Sequence, residues 1–171
     1  MTDFAEPPPA AGDLPQGRFQ GRLAFAALVR QALAAAAAQG WNRIILCDAD
    51  FSDWPLGERA TIESLNAWSA HGRSLHLLAC DYSALRLQQP RFVQWRQTWS
   101  HLVQARACDR AWAGDLPSAI WSSAWTLERL DRVHASLLAS RGAERRVLLA
   151  ERLDHWWQRA GPSFSTDTLG L

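Results

Sequence analysis

Arg43-Ile44-Ile45-Leu46-Cys47-Asp48-Ala49-Asp50-Phe51-Ser52-Asp53-Trp54-Pro55-Leu56-Gly57 is the stretch on which the fold turns. Its first five residues form a short β-branched apolar run, the pattern of a buried strand. The acids and the proline after them mark a loop. Helical periodicity flanks this unit on both sides. Residues 18–39 space Phe19, Leu23, Ala26 and Arg30 by three or four and continue into the alanine run Ala34–Ala38, the strongest intrinsic helix former. A second helix is expected over Gly57–Ala70, with Ile62, Leu65 and Trp68 on one stripe.

The same alternation continues. Ser74–Cys80 reads as a second strand, 82–88 and 90–99 as two short helices divided at Pro90, and His101–Cys108 as a third strand. Residues 109–117 read as a loop. Ala119–Ser122, Trp125–Leu130 and Val133–Leu138 read as strands and Ala143–Ala160 as a closing helix. Helix and strand in alternation favour crossover connections. The expected fold is therefore α/β, with a mixed, mainly parallel sheet flanked by helices. The expected organisation is a flexible leader over 1–17, one domain over 18–160 and a tail over 161–171, whose Phe164, Leu169 and Leu171 are apolar enough to lie against the body.

Composition narrows the function. The chain has 171 residues, 48% hydrophobic and 20% charged, with a net charge of +1. That is one globular domain without the positive excess of a strong nucleic-acid binder. No apolar run approaches the roughly 20 residues of a membrane span. All 18 basic residues are arginine, which excludes Schiff-base, phosphate-loop and kinase-type lysine chemistry. Three cysteines and an acidic, proline-rich N-terminus without a signal-peptide pattern point to free thiols and a cytoplasmic protein.

Each of the first three strands ends in Cys-Asp: Cys47-Asp48, Cys80-Asp81 and Cys108-Asp109. Side by side, these acids would line the carboxyl edge of a sheet, where open α/β folds bind ligands. With Asp50, they would form a hard-cation site suited to Mg²⁺. The competing reading is capping, in which each aspartate accepts an N–H from the next turn. The cysteines read as small buried hydrophobes. In residues 86–99, Arg91 and Arg96 flank Phe92, Trp95 and Trp99 on one helical face. Such a face binds single-stranded nucleic acid by stacking and phosphate pairing, or it is simply core. The five histidines show no metal-ligand spacing.

Two resemblances attach to these residues. Leu46-Cys47-Asp48-Ala49-Asp50 is similar to the nucleophile loop of haloacid-dehalogenase-like phosphatases. That implies Asp48 as nucleophile, Asp50 as general acid and Mg²⁺ as cofactor, although the partner lysine of that family has no candidate here. The C-terminal half resembles the end of a phospholipase D-like domain, in which a strand carries His-x-Lys-x4-Asp and is followed by a short strand and a closing helix. Ala124-Trp125-Thr126-Leu127-Glu128-Arg129-Leu130-Asp131 has that length and place, followed by Val133–Leu138 and a helix ending Leu153-Asp154-His155-Trp156-Trp157. Alanine stands at the histidine position, Thr126 at the lysine position, and Asp131 alone matches. The phrases at residues 46–57 and Thr168-Leu169-Gly170-Leu171 further resemble an uncharacterised proteobacterial family of small cytoplasmic proteins. The resemblance implies a phospholipase D-like half-fold without turnover or resident cofactor. It would work by binding a protein partner, or its own copy, through exposed tryptophan or arginine surface.

Overall fold

The computed structural model describes residues 13–72 and 74–163. Strand β1 (Gly17–Gln20) leads through Gly21 into helix α1 (Arg22–Gln39). Then come β2 (Arg43–Cys47), α2 (Arg59–Ser69), β3 (Ser74–Ala79), α3 (Ser83–Gln88), α4 (Pro90–Thr98) and β4 (Val103–Ala107). A 3₁₀ turn (Arg110–Trp112) precedes β5 (Ser118–Ser122), β6 (Thr126–Asp131), β7 (Ser136–Ser140), α5 (Ala143–Arg159) and the short β8 (Gly161–Pro162). All eight strands form one sheet in the order β1-β7-β6-β5-β2-β3-β4-β8.

The α/β class holds, but the expectation of a mainly parallel sheet does not. Only β2–β3 and β3–β4 pair in parallel; the other five pairings are antiparallel. Connection length separates the two parallel pairings from the β5–β6 and β6–β7 pairings. A parallel neighbour needs a crossover of a dozen or more residues. The helices after β2 and β3 supply one, whereas the short links among β5, β6 and β7 can only turn back.

The ends also differ from expectation. The first residues of the expected 18–39 helix form β1 instead, paired with β7 from Gly17↔Ala139 to Gln20↔Ser136. Of the expected leader over 1–17, residues 13–17 lie against the body, with Leu14 buried and Gly17 in β1, and residues 1–12 lie outside the described residues. At the other end, Gly161 and Pro162 extend the sheet beside β4. The apolar tail residues Phe164, Leu169 and Leu171 lie outside the described residues.

Two cores sandwich the sheet. The larger gathers Phe25, Leu33, Leu65, Trp68 and Phe92 from α1, α2 and α4 against Ile44, Leu46, Leu75 and Leu77. The smaller sets Leu149 and Leu153 of α5 over Ile45, Cys47, Leu78 and Ala119 on the opposite face. Each fully buried aliphatic side chain contributes roughly 1.5–3 kcal/mol. Packing is tight at the end of α2, where a Cβ on Gly72 would come within 2.2 Å of the Trp68 ring. None of the described helices is long and apolar enough to cross a membrane.

Candidate functional site

The loop after β2 meets the end of β6 in a buried ionic network. β6 alternates its side chains across the sheet. Leu127 and Arg129 therefore face the larger core, and Glu128 faces α5. Arg129 is the centre of the network. Its Nε donates to Ser118 Oγ at 3.1 Å, and its Nη2 donates to Asp48 Oδ1 at 3.0 Å. Its Nη1 and Nη2 grip both oxygens of Asp53, at 2.5 and 3.1 Å. The guanidinium also lies 4.2 Å over the Phe25 ring, a favourable cation–π position. Arg132 adds a second cation to Asp48 at 2.6 Å.

Asp48 has no solvent exposure. Arg129 and Arg132 occupy its Oδ1, while Oδ2 accepts the backbone N–H groups of Asp50 and Phe51 at 3.2 and 2.9 Å. Burial pushes this carboxyl up. The Ser118 hydrogen bond, the charges of Arg132 and Arg129 and the Phe51 N–H outweigh it, and the pKa lies below the ordinary value. Two carboxylates face two guanidiniums, so the cluster is formally neutral. Removing one partner of such a buried pair costs about 3–5 kcal/mol. Phe51 takes a left-handed backbone, φ 57°, unusual for an aromatic residue. Gln89 holds the loop there: its Nε2 donates to Phe51 O at 3.0 Å, and its Oε1 accepts Gly57 N–H at 2.9 Å.

This geometry locks the loop and does not suit it to phosphoryl transfer. Both Asp48 oxygens are engaged, so the carboxylate is not poised to attack phosphorus. Asp50 Oδ1 accepts Ser52 N–H at 3.0 Å. Asp81 Oδ1 accepts the Ser83 N–H and hydroxyl at 2.9 and 2.6 Å, and Asp109 Oδ1 accepts Ala111 N–H at 2.8 Å. The strand-end acids thus cap the turns that come after them. No group of three or more His, Cys, Asp or Glu side chains suited to a metal occurs among the described residues, so the residues do not fit the Mg²⁺ site implied by the Asp48–Asp50 reading. Cys47, Cys80 and Cys108 are buried free thiols. Burial pushes each of them up, Cys80 to about 11, which keeps them protonated and inert.

The arginine–aromatic face of α4 is core. Trp95 is 3% exposed and donates its indole N–H to Ser69 Oγ at 3.2 Å; Arg96 is 5% exposed. Neither offers a base a stacking surface, which corrects the nucleic-acid reading of that face. Arg91 is exposed and reaches Gly57 O at 3.3 Å, and Trp99 donates to Asn66 Oδ1 at 3.3 Å. The tryptophans as a group do not form an exposed recognition surface. Trp41, Trp54, Trp68, Trp95 and Trp125 are buried, and the most exposed, Trp112, shows 38% of its surface.

The two ends of β6 carry the remaining candidates. Asp131 closes the β6–β7 turn, accepting Val133 N–H at 2.9 Å and pairing with His134 at 2.7 Å. His134 is exposed and Asp131 partly exposed, and the interaction is a local turn contact. Thr126 is buried, and Ala124 is exposed at the opposite end of the strand. Ala124 lines a cavity of about 200 Å³ with Asp13, Leu14, Gln39, Trp125 and Arg141. Sequence reasoning missed Arg129, Ser118 and Gln89. One signal pointed to Arg129: two adjacent charges, Glu128-Arg129, inside an otherwise apolar strand must each find a partner on opposite faces.

No family model and no curated protein matches the sequence. Among solved structures, the chain is similar to TrmBL2, an archaeal chromatin protein whose structure shows a novel mode of DNA binding. The TM-score is 0.64 at 13% identity, over 87% of this chain and 54% of that one. The likeness is one of fold, and this chain matches about half of the longer protein.

Proposed function

We propose that the chain is a catalytically silent phospholipase D-like domain that acts by binding another protein. The observation that carries this reading is the Ala124 end of β6. If the resemblance holds, a nucleophilic histidine would stand there and a lysine two residues on. The methyl group of Ala124 cannot attack phosphorus, and the buried hydroxyl of Thr126 carries no charge to stabilise a phosphoryl group. The other residues lining the cavity include neither histidine nor lysine. The element order β6, β7, α5 supports the resemblance, and the turn-capping role of Asp131 suits a residue kept for structure. Loss of a central catalytic group costs orders of magnitude in rate.

The test is hydrolysis of bis(4-nitrophenyl) phosphate by the purified chain. Release of nitrophenol should match buffer alone. Turnover that Asp131→Ala abolishes would overturn the reading.

A second reading, duplex-DNA binding, is favoured by the solved chromatin protein of similar fold. It predicts anisotropy of a labelled duplex that falls steeply with added salt, and salt-independent or absent binding removes it.

A further inference from the structure

Residues 13–16 are gripped from far along the chain. The Trp125 indole N–H donates to Pro15 O at 2.9 Å, the Arg141 guanidinium donates to Leu14 O, and the Arg141 backbone N–H donates to Gln16 Oε1 at 3.0 Å. The Leu14 side chain is 5% exposed and belongs to the larger core. The gripping residues lie 110 to 127 positions away in sequence. Two side chains therefore read successive backbone carbonyls of an extended segment, and a buried leucine anchors it. This is the way a cleft holds a peptide. The cavity beside Ala124 is also lined by Asp13 and Leu14 of this segment.

The segment is separable because of its connection to the rest of the chain. It runs into β1, the outermost strand at its end of the sheet, which pairs only with β7 there. A single residue, Gly21, joins β1 to α1. Gly21 has φ 107°, and its N–H donates to Ala135 O at 3.0 Å. An L side chain rarely adopts that conformation, which glycine takes freely, and a hinge of one residue leaves little slack between the arm and α1.

We propose that residues 13–20 form an exchangeable arm. A second copy of this chain supplies its Leu14-Pro15-Gln16 segment to Trp125 and Arg141 and its β1 to β7, in a reciprocal dimer. The gripping contacts join the arm to residues outside it, so a second copy reproduces them without a new interface. Closing the arm within one chain requires Gly21 to hold φ 107°; exchange frees that residue to take another conformation, at the entropic cost of association. The proposal does not depend on the absence of turnover.

The experiment is light scattering on the full chain from 10 µM to 1 mM, equilibrated near its melting midpoint and then cooled. The expected result is a dimer that grows with concentration. Gly21→Ala, which strains the positive-φ conformation there, should lower the monomer–dimer midpoint at least tenfold. Inserting Gly-Ser-Gly after Gly21, which relaxes it, should raise the midpoint at least tenfold. Excess synthetic peptide of residues 13–20 should convert dimer into a one-to-one peptide complex. A chain monomeric throughout, a midpoint indifferent to the insertion, or a peptide that does not bind overturns the proposal. If Gly21→Ala does not fold, the insertion variant decides against the parent chain.

Discussion

At the scale of single residues, one half-buried and one buried group set how the protein meets acid, and they do so in separate pH windows. His76 stacks on Trp157, with ring centroids 4.4 Å apart and planes 4° from parallel. Burial, then Arg43 and Arg106, lowers its pKa from 6.5 to about 4. The unfolded chain takes up this proton below 6.5 while the folded chain refuses it down to about 4. Stability therefore falls as pH drops through that window and is flat above it. Asp48 acts in the same direction at lower pH. Its carboxyl is held below the ordinary 3.8, so its contribution is complete above that value and is lost as pH falls further. Melting midpoints measured from pH 3 to pH 8 should show both limbs, and His76→Gln should erase the upper one alone. Asp48 was legible in the sequence as a notable residue, because an acid directly after an apolar strand demands an explanation. Its role was not legible, because Arg129 stands 81 positions away and no local spacing records that pairing.

At the scale of elements, β6 is the strand that binds the layers together. Its Arg129 lies over Phe25 of α1, and its Glu128 holds α5 through Arg152 and Arg145 at 2.6 and 3.3 Å. Glu128 is nearly buried, but both arginines are about half exposed, so water screens part of the attraction. Glu128→Ala should cost about 1–3 kcal/mol, and hydrogen exchange should quicken selectively in α5. The strands with β-branched or continuous apolar runs, Arg43–Cys47 and Ser74–Ala79, were plain from the sequence. β1 was not. Gly17-Arg18-Phe19-Gln20 is too short and too polar to show a period of two, and its Phe19 fits the helical spacing of the residues after it. The antiparallel half was recorded in the short links after β5 and β6, which leave no room for a crossover.

At the scale of the whole molecule, the chain is assembled from two unlike halves. β2, β3 and β4 with their covering helices are built from near neighbours in sequence, whereas β5, β6, β7 and β1 must come from both ends of the chain to one edge of that unit. The Asp48–Arg129–Asp53 cluster sits across the join. Its ions can satisfy one another only after the two halves have met, and contacts of such long sequence separation form late. The cluster should therefore act as a latch and not as a nucleus. Replacing Arg129 with methionine should accelerate unfolding in stopped-flow experiments far more than it retards refolding. A comparable loss on the refolding limb would mean that the halves recognise each other through these charges from the outset.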